Sequence, residues 1–122
     1  MSQDRPWLQS YPAGVPAEID VNEFKSVGAV FDASVARFRD RPAYSNLGKT
    51  ITYGQADELV TRFACYLLNE LQLKKGDRVA LMMPNCLQYP IAIFAALRAG
   101  LTVVNVNPLY TARELKHQLV DS

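Results

Sequence analysis

Between Arg78 and Val106 the spacing of apolar residues changes period twice, and the rest of the chain is organised around that change. Arg78 to Met83 is a short, almost unbroken apolar run, the pattern of a strand covered on both faces in a parallel sheet. Pro84-Asn85 interrupts it, and Asn85 offers a side-chain oxygen to the free N–H groups of a helix beginning near Cys86 or Leu87. Pro90 is tolerable only in the first turns of that helix, which moves its start toward Gln88. Leu87, Ile91, Ala92, Ile93, Phe94, Ala95, Ala96, Leu97 and Ala99 make it apolar nearly all round, predicting burial on more than one side. Gly100 stops the helix at C′, where positive φ carries no Cβ penalty. A second apolar strand, Leu101 to Val106, closes at Asn107-Pro108. Two strands joined by one helix predict a parallel βαβ unit with a right-handed crossover.

Upstream, Pro6, Pro12, Gly14 and Pro16 exclude a helix and predict an extended arm over residues 1–25, anchored by Trp7, Leu8, Tyr11 and Ile19. Ser26 is placed as the N-cap of a helix to Phe38 whose apolar face is Val27, Val30, Phe31, Val35 and Phe38. Two short strands, Ala43–Asn46 and Lys49–Tyr53, flank a tight Leu47-Gly48 turn. Thr52 and Gln55 form a T-x-x-Q capping box opening the most regular helix in the chain. Its stripe of Ala56, Leu59, Val60, Phe63, Ala64, Leu67, Leu68 and Leu71 reads as core-facing. Lys74 to Asp77 is the turn into the strand at Arg78, and a second box, Thr111 with Glu114, opens a last helix carrying Leu115 and Leu119.

Composition adds limits. The 122 residues are 49% apolar and 20% charged with net charge +1, an ordinary globular mix for one core. Arg37, Arg39 and Arg41 have Asp40 among them and read as a solvated helix end, so no nucleic-acid partner is expected. The longest apolar run, Ile91 to Leu97, is far short of the roughly 20 residues needed to span a bilayer. Cys65 and Cys86 lack metal-ligand spacing, fall within predicted helices, and read as reduced packing residues of a cytoplasmic protein. The six glycines are too dispersed for a phosphate loop or dinucleotide fingerprint. His117, the single histidine, lies off the apolar stripe and reads as solvated. Asn105, Asn107, Tyr110 and Thr111 cluster at the carboxyl end of a strand, the ligand-facing edge of an open parallel sheet, although turn and cap chemistry accounts for them too. The residues alone therefore declare no chemistry: no catalytic, cofactor-binding or metal residue is expected in this chain.

The stretches YPAGVPAEI, KTITYGQ, LKKGDRVALMMPNCLQYP and ALRAGLTVVNVNPLYTARELKHQLVDS nevertheless resemble the opening of bacterial long-chain fatty acid–CoA ligases, of the adenylate-forming superfamily. T-Y-x-x, K-G-D-R-V-A, P-N and R-A-G are spread through that superfamily, whereas YPAGVPAEI, P-N-x-L-Q-Y-P and N-V-N-P-L-Y-T-A-R-E together are similar to the long-chain branch. The resemblance implies an α/β fold in which residues 26–122 form the front part of a large N-terminal domain that continues beyond 122. It implies a two-step reaction in which a fatty acid and ATP, with Mg²⁺, give an acyl-adenylate and diphosphate, and coenzyme A then displaces AMP. The superfamily's phosphate loop, adenine motif and catalytic lysine have no counterpart here, so the chain by itself is expected to be inactive. Two alternatives stay open, a non-enzymatic binding or oligomerisation module and a medium-chain or aryl acid–CoA ligase. A cytoplasmic location, peripheral membrane association and self-association through unpaired strands complete the expectations.

Overall fold

Local signals place most of the elements in the computed structural model, which describes residues 5–122. Ser26 accepts a hydrogen bond from the Ala29 N–H at 3.1 Å and opens α1, Val27–Phe38. Strands β1, Pro42–Asn46, and β2, Lys49–Thr52, form an antiparallel hairpin whose register pairs Asn46 with Lys49. Its two-residue turn has φ of 47° at Leu47 and 78° at Gly48, the doubly positive signature of a type I′ turn. Both halves of the Thr52–Gln55 capping box are made, and α2 runs Tyr53–Asn69. The Lys74–Asp77 turn is closed by the Asp77 carboxylate, which accepts from the Lys74 N–H at 2.7 Å.

The central unit is β3, Arg78–Leu81, then α3, Gln88–Arg98, then β4, Thr102–Asn105. The strands pair in parallel, Arg78 opposite Thr102 through Leu81 opposite Asn105. Helix α3 ends in a Schellman motif: Leu101 N–H donates to the Ala96 carbonyl at 2.9 Å and Gly100 N–H to the Leu97 carbonyl at 3.0 Å, with Gly100 at φ 75°. Helix α4, Ala112–Asp121, carries the complete Thr111–Glu114 box.

The core lies where α1, the hairpin, α2 and α3 meet, around Phe31, Val35, Ile51, Val60, Leu67, Ala95 and Ala96. The small residues of α3 and α2 permit this close packing. Ala56, Val60, Ala95 and Ala96 are fully shielded, and the Phe31 and Phe94 rings stack with centroids 4.3 Å apart.

Several expectations are corrected. Residues Pro6–Ser10 form a 3₁₀ turn with Pro6 in its first position, where a missing N–H costs nothing; proline density excludes longer helices, not this one. The arm is not anchored as expected: Trp7, Tyr11 and Ile19 are exposed, Ile19 at 86%, and only Leu8 is half-buried. An Arg5–Glu18 ion pair ties the arm to itself. Asn85 caps nothing. Helix α3 starts at Gln88 after Leu87, without a side-chain cap, while the Asn85 carbonyl accepts from Asn46 Nδ2 at 3.3 Å. Each strand of the parallel pair is shorter than its apolar run. The α2 stripe is divided, with Ala56, Val60, Ala64 and Leu67 buried and Leu59, Leu68 and Leu71 exposed.

Candidate functional site

The carboxyl end of the β3–β4 sheet gathers the polar residues singled out above. Asn105, the last residue of β4, accepts at Oδ1 from the Tyr89 hydroxyl of α3 at 2.7 Å. Its carbonyl accepts from Gln118 Nε2 of α4 at 2.9 Å, so one asparagine links strand, crossover helix and last helix. Gln118 Oε1 is buried without a partner among the described residues. Asn107 Oδ1 accepts from the Leu109 N–H at 3.0 Å, an Asx turn that redirects the chain. Thr111 accepts from the Glu114 N–H, and its own N–H donates to Glu114 Oε2 at 2.8 Å. The Thr111 hydroxyl, which donates to Glu114 Oε2 at 2.7 Å, and then the Thr111 N–H lower the pKa of the Glu114 carboxyl from its ordinary value. Asn107 and Thr111 thus serve as turn and cap, while Tyr110 stands exposed beside them. Tyr89 and Gln118, unremarked in the sequence, complete the constellation. Nothing in their local spacing signals it, because the partners lie 16 and 13 residues from Asn105.

His117 is exposed on α4. Cys65 is exposed on α2 rather than packed, and Cys86 precedes α3 rather than lying within it; both are free thiols. Arg39 reaches Asp57 at 3.8 Å, and the Arg37 and Arg41 guanidinium groups sit over the Phe38 ring at 5.0 and 5.5 Å. These arginines are engaged within the chain. Among the described residues no three His, Cys, Asp or Glu side chains come together to hold a metal ion.

The strongest polar hub is Arg98, at the last residue of α3. It donates to Asp32 of α1 at 2.6 Å and to Thr61 of α2 at 2.7 Å, pairs with Asp57 of α2 at 2.9 Å, and lies over the Phe31 ring at 5.7 Å. Burial lowers its pKa, but the hydrogen bonds to Asp32 and Asp57 outweigh that and raise it overall. The hub clamps three helices through Asp32, Thr61 and Asp57.

At the opposite end of α3 lies an open groove of about 670 Å³, lined by β2, α2, Met83 and the first turns of α3. Its walls are apolar, with Ile51, Leu59, Phe63, Tyr66, Leu87 and Ile91 prominent.

A family model described as "AMP-binding enzyme" matches residues 31–122, from the middle of α1 to the end of α4. The chain belongs to the AMP-binding enzyme family. Along 116 residues, 95% of the chain, it is 58% identical to a long-chain-fatty-acid–CoA ligase of Escherichia coli O6:H1. It spans 21% of that ligase's length. Among solved structures, the fold superposes on the N-terminal subdomain of Klebsiella oxytoca NpsA, solved with anthranilyl-AMSN. The TM-score is 0.76 and the identity 31%, with coverage of 80% of this chain and 26% of that one. A benzoate CoA ligase from Burkholderia xenovorans LB400 superposes at TM-score 0.70 and 28% identity, covering 76% of this chain and 19% of that one. Both superpositions agree with the α/β expectation and with the parallel unit and hairpin described above.

Proposed function

We propose that this AMP-binding chain is the front part of a long-chain fatty acid–CoA ligase, residues 1–25 being an arm and 26–122 part of a larger N-terminal domain. The single observation that carries this reading is the 58% identity held over 95% of the chain to a ligase of that name. Identity to the two aryl-associated structures is about half as high, at 31% and 28%, which sets long-chain acids above the aryl alternative. In the full-length protein the fatty acid carboxylate attacks the α-phosphate of ATP and diphosphate leaves. The coenzyme A thiolate then attacks the acyl carbon and AMP leaves. Activation makes the second step feasible, because a phosphate ester departs where a bare oxide would not. Magnesium neutralises phosphate charge in such a reaction. No residue of this chain is assigned to ATP, the metal or coenzyme A; its contribution is structural. Arg98 and the α1–α2–α3 core fix α3 against β3 and β4, and Asn105 fixes α4 at the sheet edge where open α/β sheets receive ligands. A cytoplasmic location with peripheral membrane contact and self-association belong to the same proposal; no helix among the described residues is long and apolar enough to cross a membrane.

A chimera tests it. The matching segment of the E. coli ligase is replaced by residues 1–122, and AMP release is measured with ATP, Mg²⁺, coenzyme A and hexadecanoate, with benzoate as comparison. Hexadecanoate-dependent AMP release and acyl-CoA formation are expected from the chimera and none from the chain alone. A soluble, folded chimera that releases no AMP, or prefers benzoate, overturns the reading. If the whole exchange is insoluble, exchanging residues 26–106 alone provides the same test.

A further inference from the structure

Asn105 is held from one direction and does its holding in another. The Thr102 N–H donates to the Asp77 carbonyl at 2.8 Å and the Val106 N–H to the Leu81 carbonyl at 3.0 Å, so the even-numbered residues of β4 turn their backbone groups toward β3. Alternation along the strand then turns the Asn105 carbonyl away from β3, out of the free edge of β4. Gln118 Nε2 of α4 donates to that outward carbonyl at 2.9 Å. The Asn105 side chain shares a face of the pleat with Val103, which packs against the core that includes Ala95 and Ala96 of α3. There the Tyr89 hydroxyl of α3 donates to Oδ1 at 2.7 Å. Among the described residues, no other hydrogen bond or ion pair joins α4 to the rest of the fold.

We propose that Tyr89 is a positioning residue for α4, acting through Asn105. The hydroxyl fixes the end of β4 from α3, and the carbonyl so fixed holds Gln118. Two features make α4 responsive to so small a handle. The Gln118 bond is its one polar tie to the sheet, and Gln118 Oε1 is buried without a partner among the described residues. The docked amide therefore has one hydrogen bond in its favour and one unmet acceptor against it, a balance that a displaced carbonyl tips toward release. While the relay is intact, the Asn107–Tyr110 turn and the capped first turn of α4 are held between Asn105 and Gln118, and their placement at the carboxyl end of the sheet is set from the crossover helix. All three residues belong to this chain, so the relay does not depend on what lies against its outer faces. It also stands apart from the ligase reading, because no step of that reaction passes through it.

The test is NMR on the isotopically labelled 122-residue chain, reading solvent exchange of the Gln118 side-chain amide protons together with the backbone amides of Val60 and Ala95 in the core. Tyr89→Phe keeps the ring and removes the hydroxyl. Asn105→Ala removes Oδ1 but keeps the carbonyl that Gln118 uses, and Asn105→Asp retains an acceptor for Tyr89. Tyr89→Phe and Asn105→Ala should each speed Gln118 exchange about fivefold, the equivalent of one ordinary hydrogen bond. The double variant should do no more than either single one, because both remove the same interaction. Asn105→Asp should stay within about twofold of the parent, and Val60 and Ala95 should be unaffected throughout. Gln118 exchange unchanged in Tyr89→Phe and Asn105→Ala would overturn the proposal, as would effects that multiply in the double variant. So would an Asn105→Asp effect as large as that of Asn105→Ala, or equal acceleration at Val60 and Ala95, which would mean a general loss of stability. Should Asn105→Ala fail to fold, Tyr89→Phe decides alone.

Discussion

Helices α2 and α4 are opened by the same device and end in opposite circumstances. Each begins with a threonine N-cap whose hydroxyl accepts from the N3 amide, while the N3 side chain returns to the cap N–H, Gln55 in one and Glu114 in the other. Each carries an apolar stripe. Helix α2 buries Ala56, Val60, Ala64 and Leu67 against α1, α3 and the hairpin, whereas α4 buries nothing, with Leu115 half-covered and Leu119 48% exposed. A capping box is satisfied within four residues and needs no neighbour. A stripe is an offer of surface that only a neighbour can take up. The difference separates what starts a helix from what stabilises it.

The sharpest way to break that contrast is to remove the same side chain from both. Leu67, 2% exposed, should lose about 2–4 kcal/mol on replacement by alanine, through transfer and cavity terms together. Leu119→Ala should stay within about 0.5 kcal/mol, as exposed positions do. Urea unfolding followed by circular dichroism reads both, and equal losses would mean that α4 is covered in solution. Next in size is Arg98→Ala, which strips α1, α2 and α3 of their common partner and leaves Asp32 and Asp57 facing each other's charge. The guanidinium is 29% exposed and Asp32 62% exposed, so solvent discounts the effect to about 1–2 kcal/mol. A double-mutant cycle with Asp57→Asn should give a larger coupling than one with Asp32→Asn, because Asp57 is only 26% exposed.

How far these features were legible in the sequence follows the same division. The caps at Ser26, Thr52 and Thr111 and the Gly100 stop are recorded within a few neighbouring residues, and all are found in place. Asn85 misled because an asparagine before a helix has the right chemistry, but the chain takes three further residues to turn, leaving Leu87 at the boundary. Burial was legible only where both partners lie in the chain. The α2 stripe divides at Leu59 because that side of the helix faces the open groove, and the arm's Trp7 and Ile19 lack a surface to meet. The Arg98 hub spans 66 residues to Asp32 and 37 to Thr61, a separation no periodicity encodes. The polar cluster at Asn105 was half-legible, since strand position marked Asn105 and Asn107 while the Tyr89 and Gln118 contacts arise only when α3 and α4 pack at the sheet edge.

Cap deletions carry the comparison to smaller effects. Thr52→Ala should cost about 1 kcal/mol of global stability, because α2 is part of the cooperative core. Thr111→Ala should leave the unfolding midpoint unchanged yet speed amide exchange in the first turn of α4 by about fivefold, since an uncovered helix opens on its own.

Smallest of all is the acid response of that same turn. Glu114 receives hydrogen bonds from the Thr111 hydroxyl at 2.7 Å and the Thr111 N–H at 2.8 Å, and these depress its pKa below the usual 4.5. A carboxylate with a lowered folded-state pKa contributes in full above its unfolded value and loses that contribution as pH falls through the folded one. Protection of the Thr111 amide should therefore be flat from neutral pH down to the ordinary carboxylate range and decline below it, while the α2 box, closed by the uncharged Gln55, stays unchanged over that interval. Carbon-detected titration of the Glu114 side chain alongside exchange at Thr52 and Thr111 reads both boxes in one sample. A Glu114 midpoint at or above 4.5, or equal acid sensitivity at Thr52, would show that the carboxylate is free in solution and that α4 is capped by threonine alone.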